Sequence, residues 1–362
     1  MLLNANPSKC QPPLEIPGGV VAVDVSVINC ARITIPKSSL AVFENSHLRG
    51  LTIPSFSFLI QHPPSGRRIL FDLGIRKDYQ NLPPVVQEFI KQTSWDIEVE
   101  EDVTDVLARQ GIEPRHVGAV ILSHHHFDHV GDLTKFPPTT DLIVGPGFKD
   151  AHLPGFPTNA ESTLLDTTLQ GRTIREISFQ SSHSVTNIGG YEALDYFGDG
   201  SFYLLNSPGH TVGHISALAR VTTGGEDTFV LMGGDTCHDA GQLRPNPYHP
   251  LSKEIISTPF WQGLTGCCVT EAVIASSGPQ GNKPILKTPA AYVVDQVEAQ
   301  RSLERLQYLD SAENILVIIS HDYSLLKQIS TFSHSLNDWK QRSVKEKVRW
   351  GFLDSFRTEN KL

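Results

Sequence analysis

Residues Ser123 to Asp132 read Ser-His-His-His-Phe-Asp-His-Val-Gly-Asp, and inside them lies the spacing His124-x-His126-x-Asp128-His129. The four side chains of this spacing, all able to ligate a metal, fall within six positions, directly after the apolar run Val117–Leu122. An apolar strand that runs into a histidine-rich turn holds imidazoles rigidly at a sheet edge. Imidazole and carboxylate together suit zinc, iron or manganese better than calcium or magnesium. Three later positions repeat the arrangement. His210 follows the run Phe202–Leu205, Asp235 follows Thr228–Met232, and His321 follows Ile315–Ile319. Glycine precedes His210 and Asp235, which lets backbone approach closely. A single such histidine reads as easily as a core residue; four strand-end sites in one chain do not.

The elements that must carry these residues follow from the apolar patterning. Strands are expected at Val20–Val27, Phe56–Ile60, Ile69–Leu73, Val117–Leu122, Asp141–Val144, Ala193–Phe197, Phe202–Leu205, His214–Val221, Thr228–Met232 and Ile315–Ile319. Helices are expected over Pro83–Gln92, from Asp102 to a stop at Gly111, and from Thr288-Pro289 to about Leu309. A polar helical tail holding Trp339 and Trp350 closes the chain. The stretches 145–182 and 237–287 read as irregular, and such long loops beside a site often cover it. Some of their aromatics, among them Phe148, Phe156, Tyr248, Phe260 and Trp261, are expected to form an apolar substrate pocket beside the site. By alternation the ring of His125 is expected to point away from its neighbours as packing, and His214 to stabilise the 208–214 turn. Ser207 and Ser320 lack a nucleophile context and read as structural. Cys237 reads as an inert buried residue, and Asp322 as either a surface carboxylate or a partner that orients His321.

The order His124-x-His126-x-Asp128-His129, His210, Asp235, His321 resembles the metallo-β-lactamase superfamily of hydrolases, and most of all its N-acyl homoserine lactonase branch. The resemblance covers roughly residues 20 to 325. It implies a four-layer αβ/βα sandwich of two mixed β-sheets flanked by helices, with two metals at one sheet edge. The ions implied are zinc, with iron or manganese as alternatives. His124, His126 and His210 would hold the first, Asp128, His129 and His321 the second, and Asp235 would bridge them. Asp72, in Phe-Asp72-Leu-Gly74, matches the family's early supporting aspartate. The activity implied is opening of a small cyclic ester or cyclic amide by a hydroxide held between the metals, with Asp128 as proton carrier. A thioesterase of the same fold, or an iron-dependent oxidoreductase of the persulfide dioxygenase type, is the alternative. The lactonases carry a tyrosine shortly after the bridging aspartate, whereas this chain reads Thr236-Cys237-His238-Asp239. His238 is therefore the expected substitute donor.

The whole chain sets the remaining bounds. Its 362 residues can bury a sizeable core. A formal net charge of -9 disfavours nucleic acid as partner. Five cysteines without regular spacing do not form a secreted disulfide framework. Residues Met1 to Pro17 lack the pattern of a signal peptide, and no apolar run reaches the length of a membrane span. The expectation is a cytoplasmic enzyme with a small-molecule substrate, with a homodimer compatible but undetermined. The domains read as a flexible segment 1–18, a hydrolase domain 19–325, and a helical tail 326–362 packed on that domain.

Overall fold

In the computed structural model the described residues are 14–36, 50–180, 184–252, 255, 273–329, 332 and 334–356. Thirteen strands among them build two sheets. The first has the order β4-β1-β2-β3-β5-β6-β7. Its strands are β1 (Asp24–Ile35), β2 (Leu51–His62), β3 (Arg67–Phe71), β4 (Asp96–Val99), β5 (Ala119–Ile121), β6 (Asp141–Val144) and β7 (Ile174–Glu176). The second, in the order β13-β12-β11-β10-β9-β8, holds β8 (Val185–Ile188), β9 (Tyr191–Asp195), β10 (Phe202–Asn206), β11 (Ile215–Thr222), β12 (Thr228–Met232) and β13 (Ile315–Ile318). Both sheets are mixed: β3, β5, β6 and β7 pair in parallel, as do β12 and β13.

Side-chain alternation sorts each strand into two layers. Phe56, Phe58 and Ile60 of β2 meet Phe202 and Leu204 of β10 and Val230 and Met232 of β12 in the core between the sheets. The alternate residues Leu59, Leu70, Val120 and Leu142 pack outward with Val103, Val106 and Leu107 of the helix Val103–Ala108. On the other side Leu205, Leu218, Leu231 and Val317 pack with Leu303, Leu306 and Leu309 of the helix Gln296–Asp310. The result is the four-layer sandwich expected from the sequence. No helix among the described residues is long and apolar enough to cross a membrane.

Several elements differ from the sequence reading. β1 begins at Asp24 and runs to Ile35, because pairing with β2 and β4 sustains it past Val27. The helix expected from Pro289 starts instead at Gln296. Val294 N and Asp295 N donate to the Gly209 and His210 carbonyls, which holds this segment extended. The Asp295 side chain then accepts from Val297 N and Glu298 N and caps the helix. Pro289 precedes only the 3-10 turn Ala290–Tyr292. The stretch 145–182 is not simply irregular: it contains β7 and the short helices Phe148–His152 and Asp166–Leu169. Strands β4 and β8, four residues each, were not legible. Trp339 is buried and packs with Leu336, Val344 and Val348 into the inter-sheet core.

One buried ion pair ties the segment after β12 to the outer helix. Arg244 Nε and Nη2 reach Asp310 Oδ2 and Oδ1 at 2.7 and 2.5 Å, and Lys345 Nζ donates to the Asp310, Ala312 and Ile315 carbonyls. Burial alone would raise the Asp310 carboxyl, but Arg244 and Lys345 hold it down at about 2. Its stabilising contribution is therefore full above the ordinary carboxylate range and is lost as pH falls from about 4 toward 2. Arg244→Met strands the carboxylate and is expected to cost about 3–5 kcal/mol, read as a lower urea midpoint at neutral pH. An unchanged midpoint would show that Lys345 compensates alone.

Candidate active site

The chemistry-bearing residues lie where strands of both sheets end in the same direction. β3 leads into Asp72, β5 into His124, β10 toward His210, β12 into Asp235, and β13 into His321. Asp72 organises the first turn and has φ 59°, a left-handed conformation that costs energy for a residue with a Cβ. Its Oδ1 accepts from Ser123 N at 2.7 Å, and its Oδ2 from Ser123 Oγ at 2.8 Å and His129 Nδ1 at 2.9 Å. Leu73 N donates to His129 O, and Gly131 N to Gly74 O, so the two loops are zipped together. At Gly131 (φ 54°) a Cβ would stand 2.4 Å from Leu73 Cβ, and only glycine permits this approach.

Hydrogen bonds from the rear set the direction of several imidazoles. With His129 Nδ1 donating to Asp72, and His321 Nδ1 to Pro54 O at 2.9 Å, both Nε2 lone pairs face inward. His214 stabilises its turn through Ser207 O at 2.8 Å, as expected. It also accepts from Asp235 N at 3.0 Å and so holds the backbone of that aspartate.

Two donor groups result. His124, His126, His210 and Asp235 form one, and Asp128, His129 and His321 the other; donor atoms within each lie within 4.8 Å of one another. His210 Nε2 stands 3.2 Å from His124 Nε2 and 3.1 Å from His126 Nδ1. Nitrogens on a tetrahedral ion at about 2.0–2.1 Å stand about 3.3–3.4 Å apart. Asp235 lies between the groups. Its Oδ1 is 3.3 Å from both His129 Nε2 and His321 Nε2, while its Oδ2 is 3.6 Å from His210 Nε2 and 3.8 Å from His124 Nε2. Buried His129 Nε2 and Asp235 Oδ1 have no hydrogen-bond partner. Such orphaned atoms are costly unless something else satisfies them. The residues thus fit two small divalent ions.

The electrostatics divide the histidines into two sets. Burial holds the His124 and His210 imidazoles well below their ordinary values, and it holds His126 at about 4. These three present neutral nitrogens. Burial opposes protonation of His129 and His321 too, but Asp235 and Asp128 outweigh it and raise both. In turn those imidazoles overcome burial and hold the Asp235 carboxyl well below the usual range.

His126, His210, Asp235 and His321 line a cavity of about 420 Å³. Its apolar wall is Ile35, Leu51 and Ile53 from the β1–β2 ends, with Val86, Phe89, Trp95 and Phe127. Asp128, His238 and Asp239 also line it. His238 Nε2 is 3.5 Å from Asp235 Oδ2, and its ring lies 5.6 Å from that of Tyr292. The described members of the expected pocket aromatics lie elsewhere. Phe148 is buried beneath the first sheet, Tyr248 packs on Tyr308, and Phe156 is not among the lining residues; Phe260 and Trp261 fall outside the described residues. His125 also departs from expectation. It lines the cavity, with its ring stacked on His152 at 3.7 Å, because the turn into the helix Phe127–Val130 breaks strand alternation. Asp322 is buried and caps the 3-10 helix Tyr323–Lys327 through Ser324 N rather than orienting His321. Cys237 is buried in the outer core. Trp95, Phe89 and Asp239 were missed, and no local signal marks the two aromatics.

Residues 51–247 match the family described as the Metallo-beta-lactamase superfamily. The chain belongs to that superfamily. It is 39% identical over 353 residues to gamma-lactamase FDB1 of Fusarium pseudograminearum (strain CS3096), a match covering 95% of this chain and 85% of that one. It is 41% identical over 350 residues to cytochrome P450 monooxygenase mpaDE' of Penicillium brevicompactum. That match takes 94% of this chain but only 38% of the longer protein. Among solved structures, an N-acyl homoserine lactone hydrolase with N-hexanoyl-L-homoserine bound at its metal centre superposes with a TM-score of 0.56. It covers 87% of this chain and all of that one at 19% identity, a likeness of fold.

Proposed function

We propose that this metal-dependent hydrolase opens a small ring closed by an amide or ester bond, a γ-lactam or a lactone, using two divalent ions. The observation that carries this reading is that members of both donor groups, Asp235 among them, line one cavity together with an apolar wall. The extended similarity to a protein named gamma-lactamase supports the amide, and the fold shared with a homoserine lactone hydrolase supports the ester. His124, His126 and His210 would hold one ion and Asp128, His129 and His321 the other, with Asp235 between them. Nitrogen and oxygen donors without sulfur suit zinc, and iron or manganese fit the same set. Divalent ions here supply Lewis acidity and bring the ionisation of water near neutral pH.

The chain's own residues do the rest. The apolar wall excludes bulk water and receives the ring face. Asp128, with Oδ2 3.5 Å from His321 Nε2 and its carboxyl on the cavity wall, takes a proton from the attacking water and passes it on. His238, with Nε2 3.5 Å from Asp235 Oδ2, is held neutral by burial; it takes the proton that Asp128 carries and delivers it to the departing nitrogen or oxygen.

Protein purified with ample zinc is expected to carry about two metal equivalents per chain and to hydrolyse 2-oxindole or dihydrocoumarin. A single equivalent unmoved by added zinc would overturn the two-ion arrangement. Cleavage of an aryl thioester with neither ring opened would move the assignment to a thioesterase.

A further inference from the structure

The histidines of the two donor groups are not held alike. His124, His129, His210 and His321 all turn Nε2 toward Asp235. Behind them, His129 Nδ1 is hydrogen-bonded to Asp72, His321 Nδ1 to Pro54 O, and His124 Nδ1 lies 3.0 Å from Ser123 Oγ. His210 Nδ1 is buried without a hydrogen-bond partner. Its support comes through the main chain instead, where four successive carbonyls are held. Ser207 O accepts from His214 Nδ1 at 2.8 Å, and Pro208 O from Ser302 Oγ at 2.7 Å. Gly209 O accepts from Val294 N and Asp295 N, and His210 O from Val294 N, each at 3.0 Å. Gly209, at φ 121°, lies so close to the helix Gln296–Asp310 that a Cβ would stand 2.1 Å from Ala299 N. The segment that supplies the Val294 and Asp295 donors is also cavity wall, through Ala291, Tyr292, Val293 and Val294.

We propose that residues 291–295 form a strap that positions His210 for metal binding, with the Val294 N–H as its working contact. This inference rests on the two-ion reading above and concerns the ion that His124, His126 and His210 would hold. A hydrogen bond at the far nitrogen of an imidazole fixes the direction of the ring. His210 has none, so its direction follows its backbone and the packing around it. Val294 N, shared between the Gly209 and His210 carbonyls, is the strap donor that reaches His210 itself. The Val294 side chain is 70% exposed, so the residue holds this loop through its N–H. The strap therefore tolerates any side chain at position 294 that leaves the N–H, and fails with proline.

Val293, at φ -135° and ψ 140°, already has the extended conformation that a residue before proline favours. Val294→Pro thus removes the N–H, and Val294→Ala keeps it. Protein loaded with zinc is titrated with a chelator, and the affinity of each zinc is read from the metal released. His210→Ala identifies the zinc that His210 holds. In Val294→Pro that zinc is expected to bind about 10- to 100-fold more weakly, with the other zinc unchanged. Val294→Ala is expected to match wild type in zinc affinity. Ser302→Ala, which removes the bond to Pro208 O, is expected to weaken the same zinc about 3- to 10-fold. A merely structural role would weaken both zincs together, and that result would overturn the proposal. So would a Val294→Pro protein that binds zinc as Val294→Ala does, or a His210→Ala protein that loses none. If Val294→Pro fails to fold, wild-type affinity in Ser302→Ala would overturn it. A wild type that binds a single zinc would count against the two-ion reading. The strap would then fall separately if His210→Ala weakens that zinc and Val294→Pro does not.

Discussion

Asp235→Ala is expected to release metal from both donor groups and to abolish hydrolysis. The carboxylate stands between four imidazoles: Oδ1 lies 3.3 Å from His129 Nε2, Oδ2 lies 3.6 and 3.8 Å from His210 and His124 Nε2, and both oxygens lie 3.3 Å from His321 Nε2. Its removal takes a shared negative charge from a fully buried cluster of nitrogens. It leaves His129 and His321 facing each other across a gap, with Asp128 and, behind His129, Asp72 to balance them. Cys237→Ser, two residues away, serves as the control. The thiol is buried in the outer core and points to neither donor group's chemistry, so metal content should not move. Elemental analysis beside turnover of dihydrocoumarin checks both variants. Retention of both metals and most activity in Asp235→Ala would remove the bridge from the scheme.

His238→Ala is expected to lower kcat by about 10²-fold or more if the imidazole gives general-acid help, with both metals retained. Its position is set by anchors outside the donor groups. The backbone N–H of His238 donates to Gln242 Oε1 at 2.6 Å, and Gln242 Nε2 donates to Lys287 O at 3.0 Å. Truncating the ring therefore leaves the segment in place. An amide nitrogen departs as a poor leaving group and needs a proton, whereas an aryl oxygen leaves with less help. The loss should be larger for 2-oxindole than for dihydrocoumarin. Equal losses on both would assign His238 to substrate binding, and no loss would leave it as a wall residue.

The patterning of the chain marked the residues that the structure gathers into two candidate donor groups, and the edge of the sandwich where they meet. Ligand-type residues at strand ends are legible because an apolar run of β period must end at a sheet edge. The turn after it is then held at that edge, as with Val117–Leu122 before His124 and Thr228–Met232 before Asp235. The four-layer fold was implied by the family resemblance those residues carry, and the structure bears it out: both faces of the central strands are apolar and covered on two sides. Elements whose conformation depends on distant partners were not legible. Short β4 exists because β1 offers an edge to it, and the segment before the outer helix is extended because Gly209 and His210 offer carbonyls. The substrate wall was placed only by tertiary structure, because cavity walls are assembled from residues far apart in the chain. Leu51, Phe89, Trp95 and Tyr292 share no spacing that a sequence pattern could carry. The same holds for His125, whose ring direction is decided by a turn rather than a strand.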